Sequence, residues 1–351
     1  MKTSYICWLA LAACAASAQA QTGVSIYGII DANLQYGDNG KEKQTSLQSG
    51  GLSQSRIGFM GSEDLGGGLS AIFNVENGFN VDNGAAAQGG LLFGRVALVG
   101  LSSKRLGALT LGRQYEPLHT LHTKFSTHQA GFGDAAGAFI PTINDVRFDN
   151  SIKYVTPSMA GLTLTAFVAL GENTSVPNAT TPAQSYGNLF NLQANFERGP
   201  LAAAFSYADK KKSPLLPDNH TTYSTAALSY DFGAIKPYLM VETIRNDRVT
   251  TTTQDFNFWS LAADMPLGPG RLNASLGSLR NRSAANAGAK SYGLVYDYLL
   301  SKRSNLYLGY AKVANQASAA YFVGSGNGFA IAAAGNGADP QAVVLGMRHK
   351  F

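Results

Sequence analysis

Apolar and polar residues alternate with a period of two along most of this chain. From Phe190 to Glu197 the rule is obeyed at every position: Phe190, Leu192, Ala194 and Phe196 interleave with Asn191, Gln193, Asn195 and Glu197. Leu306, Leu308 and Tyr310 repeat it, as do Tyr292, Leu294, Tyr296 and Tyr298, and helical spacing seldom competes. A period of two sends successive side chains to opposite faces of a strand, so the chain is predicted to be all-β. The last nine residues follow suit: Val343, Leu345, Met347, His349 and Phe351 share one face, Val344, Gly346, Arg348 and Lys350 the other. An apolar face backed by a basic one suits a soluble sandwich, or a barrel with lipid outside and water inside.

The connections choose between these. Seven are short, at 63–68, 103–107, 156–161, 197–200, 231–234, 266–270 and 301–304. Eight are long and polar or glycine-rich, near 37–53, 80–90, 116–146, 171–187, 208–222, 245–254, 281–289 and 314–340. Fifteen connections imply sixteen strands, with both chain ends on the short-turn side. Strands of roughly 10 residues with short turns at one end and long loops at the other describe an antiparallel transmembrane β-barrel. At sixteen strands the lumen is too wide for side chains to fill, so it holds water. A sandwich has no reason to sort its loops into two lengths.

Composition agrees with a lipid-facing half. Charged residues are 14% of the chain, against about 25% in a typical soluble domain. No apolar run reaches the 18 residues or so that a membrane helix needs. At the amino terminus, Lys2, an apolar stretch from Ile6 to Ala16 and the small-x-small site Ala18-Gln19-Ala20 read as a secretory signal peptide. Residues 1–20 would then be removed, and 21–351 would form a single barrel domain. A competing reading takes Leu11 to Cys14 as a lipoprotein cleavage box. Under the first cut Cys7 and Cys14 are both lost, which excludes disulfides and thiolate chemistry. Losing Lys2 leaves 26 basic against 22 acidic residues, a balance too small and too dispersed to suggest a nucleic-acid partner.

Strand parity sorts the cations. Arg56 alternates with Ile57 and Phe59, Arg95 with Val96 and Leu98, and Arg147 with Phe148, so all three are expected to face inward, with Lys153 sharing the parity of Arg147. An arginine facing lipid at mid-depth costs about 2–4 kcal/mol. Arg113 falls with Leu109 and Leu111, and reads as an interface or strand-end residue. A plainer alternative pairs the inward arginines with wall carboxylates such as Glu76 and Asp149.

Other chemistry is thin. His119, His122 and His128 lie in the long loop at 116–146; such spacing can hold zinc, but no carboxylates stand ready to orient the rings, so neither a metal nor a cofactor is expected. His349 shares the outward parity of Phe351, and no nucleophile pairs with a base, so a barrel hydrolase is the lesser alternative. The glycine-rich stretch 324–337 lacks a preceding strand and a following Lys-Ser/Thr, and reads as an external loop rather than a phosphate cradle.

Across the mature chain, "VSIYGIIDANLQYG", "SRIGFMGSEDLGGGLSAIFNVENGF", "FGRVALVGLSS", "LTLGRQYEPL", "RFDNSIKYVTPSMAGL", "YDYLLSKRSNLYLGYAKV" and the final "VLGMRHKF" together resemble the general porin family of Gram-negative bacteria, in its sixteen-stranded trimeric β-proteobacterial branch. The resemblance implies an outer-membrane channel for passive diffusion of small hydrophilic solutes and ions, with a porin holding a saturable substrate site as the variant. It implies a homotrimer set among outer-membrane lipid and lipopolysaccharide, and makes Phe351 a signal to barrel-assembly machinery. It also implies that the third long loop, Glu116 to Val146, folds into the barrel. There the basic wall of Arg56, Arg95, Arg147 and Lys153 would face the loop acids Glu116, Asp134 and Asp145, giving a moderate anion preference. Phe125, Phe132, Phe139 and Ile140 suit a packed loop, and its packing would explain apolar residues at the inward-parity positions Ala97 and Val99.

Overall fold

Alternation becomes a closed wall. The computed structural model describes residues 23–143, 146–171, 188–211, 220–247, 254–324 and 330–351. Gly23–Asp38 (β1) pairs with Lys43–Ser49 (β2) along one half and with Arg56–Gly66 (β3) along the other, so β2 and β3 are one stave interrupted at 50–55. Leu69–Gly78 (β4), Val96–Ser103 (β5), Gly107–Tyr115 (β6), Arg147–Val155 (β7) and Leu162–Ala169 (β8) follow. The far wall is Leu189–Arg198 (β9), Leu201–Lys211 (β10), His220–Tyr230 (β11), Lys236–Asn246 (β12) and Phe256–Leu267 (β13). Gly270–Asn281 (β14), Ala289–Leu299 (β15) and Ser304–Asn315 (β16) lead to a two-residue ribbon, Val323–Gly324 (β17) with Ala330–Ile331 (β18), and then to Gln341–Lys350 (β19). β19 pairs with both β16 and β1, which closes sixteen antiparallel staves.

All seven expected short turns join neighbouring staves, and both described ends lie on that side. Gly28 and Phe351 exchange two backbone hydrogen bonds of 3.1 Å at the seam. A Cβ on Gly28 would come within 2.4 Å of the Phe351 ring, so this contact requires glycine. The apolar face is the outer one: Leu192, Leu308 and Leu345 are 48%, 54% and 57% exposed, while Asn191, Tyr307 and Val344 on the other face are buried. Polar residues inside and apolar residues outside is the reverse of a soluble core, and it matches a wall with lipid around it.

Two expectations need correction. The first long connection, 37–53, is mostly strand: the chain turns at 39–42 and returns as β2 before it breaks. β2 is polar on both faces apart from outward Leu47, so it carries no apolar period to betray it. Second, Val99 does not pack inside. It is 57% exposed on the outer face, opposite Phe73 and Leu111. Arg95 sits in a bend before β5 begins, so parity counted from it does not enter the strand.

Candidate functional site

Three staves bring cations to one aromatic ring on a fourth. Tyr115 ends β6; Arg56 opens β3, Arg147 opens β7, and Arg95 lies in the bend ahead of β5. Arg95 Nη2 donates to the Tyr115 hydroxyl at 2.6 Å and Arg147 Nη2 donates to the same oxygen at 2.8 Å. The Arg147 guanidinium also lies 4.5 Å from the Tyr115 ring centroid, and Lys153 Nζ donates to the Tyr115 carbonyl at 3.3 Å. One carboxylate serves the group. Glu76 Oε1 accepts from Arg95 Nε at 2.5 Å and stands 3.9 Å from Arg56 Nη1, while Oε2 accepts the Tyr27 hydroxyl at 2.9 Å. Arg95 Nη1 donates in addition to Gln54. The plainer pairing therefore holds for Glu76, whereas Asp149 takes outward-facing Arg113 at 2.7 Å.

Sequence parity reached Arg147 by a route the backbone does not follow. The register shifts between Gly112 and Gln114 where β6 meets β7, and Asn150 has a φ of 51°, so Lys153 and Arg147 do not share an unbroken alternation. Both still arrive at Tyr115.

The segment after β6 closes over this cluster. Pro117, with its φ already fixed, opens a helix Pro117–Lys124 (α1), and His119 stacks on Tyr115 at 5.0 Å and 11°. Buried His122 bonds to buried Glu242 of β12, whose carboxylate also accepts the Thr225 hydroxyl at 2.9 Å. Lys124 pairs with Glu197 of β9. A second helix, Ala135–Ile143 (α2), starts where the Ala135 amide donates to Ser275 Oγ of β14 at 2.8 Å. Phe139 meets Phe258 and Tyr321 edge-on at 6.1 and 5.8 Å. At Gly293 of β15 a Cβ would lie 1.9 Å from the Gly133 carbonyl oxygen, so backbone touches backbone there. A cavity of about 210 Å³ remains, lined by Arg56, Arg95, Arg147, Tyr115, His119 and Ser53 among others.

Two of the expected loop acids, Asp134 and Glu116, have hydrogen-bond partners of their own. Asp134 is buried and accepts three 2.7 Å bonds, from the Thr127 amide, the Thr127 hydroxyl and the Ala136 amide; it fastens the turn at 127–129 to the start of α2. Glu116 is buried and accepts from Asn191 Nδ2 at 3.3 Å on β9. Asp145 lies outside the described residues. Burial raises the Asp134 carboxyl to about 6 against the pull of those bonds. It lowers His128 to about 3, helped by the charges of Arg348, Arg271 and Lys350, and holds His119 well below the ordinary histidine range, helped by His122, Arg147 and Arg95. The three histidines do not converge, and among the described residues no cluster of His, Cys, Asp or Glu could hold a metal.

One element escaped the sequence reading. At the interruption 50–55 the chain turns inward and is buried throughout. Asp31 of β1 gathers it: the carboxylate accepts the amides of Gly51, Leu52 and Ser53 at 3.2, 3.0 and 2.8 Å, and the Tyr307 hydroxyl at 2.6 Å. Arg348 Nη1 donates to Ser53 Oγ at 3.0 Å. The Gly51 carbonyl then accepts the Phe132 amide at 3.0 Å, so the inward turn is the seat on which the middle of the 116–143 segment rests. Two successive glycines, Gly50-Gly51, were the available signal of a break in the strand.

Comparison with known proteins places this geometry. Residues 8–318 match the family model described as Gram-negative porin. An outer membrane porin protein of Bordetella pertussis is 35% identical over 59% of this chain and 59% of its own length, so that alignment spans about three-fifths of the relative. Outer membrane porin protein 32 of Delftia acidovorans is 29% identical over the full length of both. Among solved structures, the anion-selective porin from Comamonas acidovorans superposes with a TM-score of 0.81 at 28% identity, over 94% of this chain and 100% of that one. OmpT of Vibrio cholerae, at 14% identity and a TM-score of 0.72, shares the fold. The closed sixteen-stave barrel agrees with these matches, and the chain belongs to the Gram-negative porins of the outer membrane.

Proposed function

We propose that the protein is a passive, water-filled channel for small hydrophilic solutes with a preference for anions, and that the 116–146 segment lies within the barrel and sets its narrowest point. One observation carries the reading: Arg95 and Arg147 meet at the Tyr115 hydroxyl and Arg56 joins Arg95 at Glu76, so three guanidinium groups gather beside one carboxylate that pairs with two of them. In salt of physiological strength fields reach only about 8 Å, so charges at the constriction govern which ions pass. Asp134 bonds to the Thr127 amide and Glu116 accepts from Asn191, so among the described residues the cations gathered at Tyr115 supply the charge that favours anions. The contacts of the segment with β9, β12, β14 and β15, on the wall away from its own stem, support its inward position. The Comamonas relative is named for anion selectivity, in the same sense.

Finer parts of the reading are proposals of the same kind. Residues 1–20 are a leader cleaved after Ala20, which sequencing of the protein from outer membranes tests. Phe351 addresses the chain to assembly machinery. The working unit is a homotrimer, as the Vibrio structure is titled, and the outward Arg113–Asp149 pair belongs in a protein contact more comfortably than in lipid. A saturable anion step has its own support: Arg147 Nε is buried with no hydrogen-bond partner, beside the 210 Å³ cavity.

Reversal potential in a KCl gradient tests the main reading. The wild type should favour chloride, and Arg56, Arg95 and Arg147 replaced together by Gln should abolish that preference. A cation-favouring wild type, or an unchanged triple variant, would refute the assignment.

A further inference from the structure

On the loop side of the inward turn at 50–55, the inner face of β1 and β2 carries amides where the opposite wall carries charges. The register pairs Asn33 with Gln48, Gln35 with Ser46 and Gly37 with Gln44. Leu34, Tyr36 and Leu47, at the alternate positions, are exposed on the outer face, so the amide row looks into the barrel. A stretch of the last long connection lies across this row. The Ala334 amide donates to the Asn39 carbonyl at 2.9 Å, which ties the stretch to the first turn. Ile331 of β18 reaches over Gly37, where a Cβ would stand 1.9 Å from Ile331 Cδ1. Between strap and wall is a polar cavity of about 560 Å³, lined by Gln35, Gln44, Ser46, Gln48 and Ile331 among others. Small-molecule sites commonly enclose about 300–1,000 Å³.

The fold leaves polar groups of this row unsatisfied. Gln35 is 4% exposed, and its Oε1 is buried with no hydrogen-bond partner among the described residues. Two positions along, Asn33 is 2% exposed and its Oδ1 is unpartnered in the same way. Gln48 Nε2 donates to Ser46 Oγ at 3.1 Å, so donors and acceptors already stand side by side in the lining. A buried carboxamide without a partner costs stability until something occupies it. Its occupant has to donate and accept within a short span. A hydroxyl does both, whereas a carboxylate or phosphate oxygen offers acceptors alone. The charged residues of the lining, Glu42 and Lys43, are exposed and of opposite sign, so they select no ion. Half-buried Ile331 gives the C–H side of a ring an apolar surface to rest on.

We propose that this cavity binds a neutral polyhydroxylated solute of sugar size, held by the carboxamides of Gln35, Gln44 and Gln48 and by Ser46 Oγ. It shares no lining residue with the cavity beside the arginines, and it selects by hydrogen bonding where that one selects by charge. The assignment rests on the channel reading above, which brings the solute to it. The test uses the whole protein, purified from outer membranes in a detergent without a sugar headgroup. Sucrose is the probe, and a polyethylene glycol of similar mass, with ether acceptors but hydroxyls only at its ends, is the control. Saturation-transfer NMR reads binding, and planar-bilayer recordings read conductance and reversal potential. Sucrose should bind saturably and survive competition by sulfate, and the glycol should not bind. Gln35→Leu, which keeps most of the volume and removes the amide, should weaken sucrose at least about fivefold and leave the reversal potential in KCl unchanged. Sucrose that fails to saturate, equal binding of the glycol, displacement by sulfate, full affinity in Gln35→Leu or a reversal potential shifted by that variant would overturn the site. Should Gln35→Leu fail to assemble, Gln44→Ala at the exposed end of the row must weaken sucrose, and unchanged affinity there overturns the site as well. Saturable sucrose binding without conductance would strike the channel reading and leave the site standing.

Discussion

The Asp31 carboxylate and the Tyr307 hydroxyl, 276 residues apart in sequence, lie 2.6 Å from each other in the interior beside the seam. Asp31 also holds three successive amides of the inward turn, so one buried side chain ties the first stave, the interrupted second stave and the penultimate one into a single support for the 116–143 segment.

Asp31→Ala should therefore loosen the constriction without opening the wall. It leaves three amides and a phenol without an acceptor; one unsatisfied buried group costs about 1–3 kcal/mol. Single-channel recordings should show larger and noisier conductance, with a lower melting temperature. Unaltered conductance noise would mean that the turn is held by other contacts.

Glu76→Gln probes the opposite element. Removing the negative charge shared by Arg56 and Arg95 should raise the chloride-to-potassium permeability ratio severalfold, while stability drops by about 3 kcal/mol as a buried partner is lost. Zero-current potentials with paired thermal melts check both arms.

Backbone contact at Gly293 gives a steric test. In Gly293→Val the side chain meets the Gly133 carbonyl, which should push the segment off β15, widen the pore and weaken anion preference while the strands stay intact. Conductance that matches wild type would show that the wall yields instead.

Acid should loosen the 116–143 segment. His128 and His119 are neutral in the folded protein and would take a proton near pH 6.5 once released, so the stability they contribute is complete above about 6.5 and declines as pH falls toward 3. Asp134 acts with the opposite sign: with its carboxyl at about 6, its contribution is complete below 3.8 and lost as pH rises through 6. Two histidines oppose one aspartate, so hydrogen exchange in α1 and α2 should quicken between pH 7 and 5. Asp134→Asn, which removes the compensation, should steepen that dependence.

The wall was legible because lipid enforces it: every stave with an outward apolar row announced itself, and turn lengths told inside from outside. Arg56 and Lys153 followed from parity. Parity failed where the ladder does, at the bend before Val96 and at the shift between Gly112 and Gln114, and there Arg95 and Arg147 reach Tyr115 by a route that the alternation does not contain. The bonds of Asp134 and Glu116 were not legible because charge alone does not reveal partners. Asp134 is spent on backbone amides and Glu116 on Asn191, contacts made by a fold in the segment that no period encodes. Asp31 was missed for the same reason: its partners are amides, which every sequence has.

The paired bonds between Gly28 and Phe351 also bear on the order of events in synthesis. An antiparallel sheet of this kind has two raw edges until its final residue is made, and β1, among the first parts of the wall to emerge, has to wait for the last. A chain truncated by a single stave would keep its pattern and most of its ladder, yet present two unpaired strands to any other unfinished copy nearby. Completion of the last stave is what turns a sticky ribbon into a vessel.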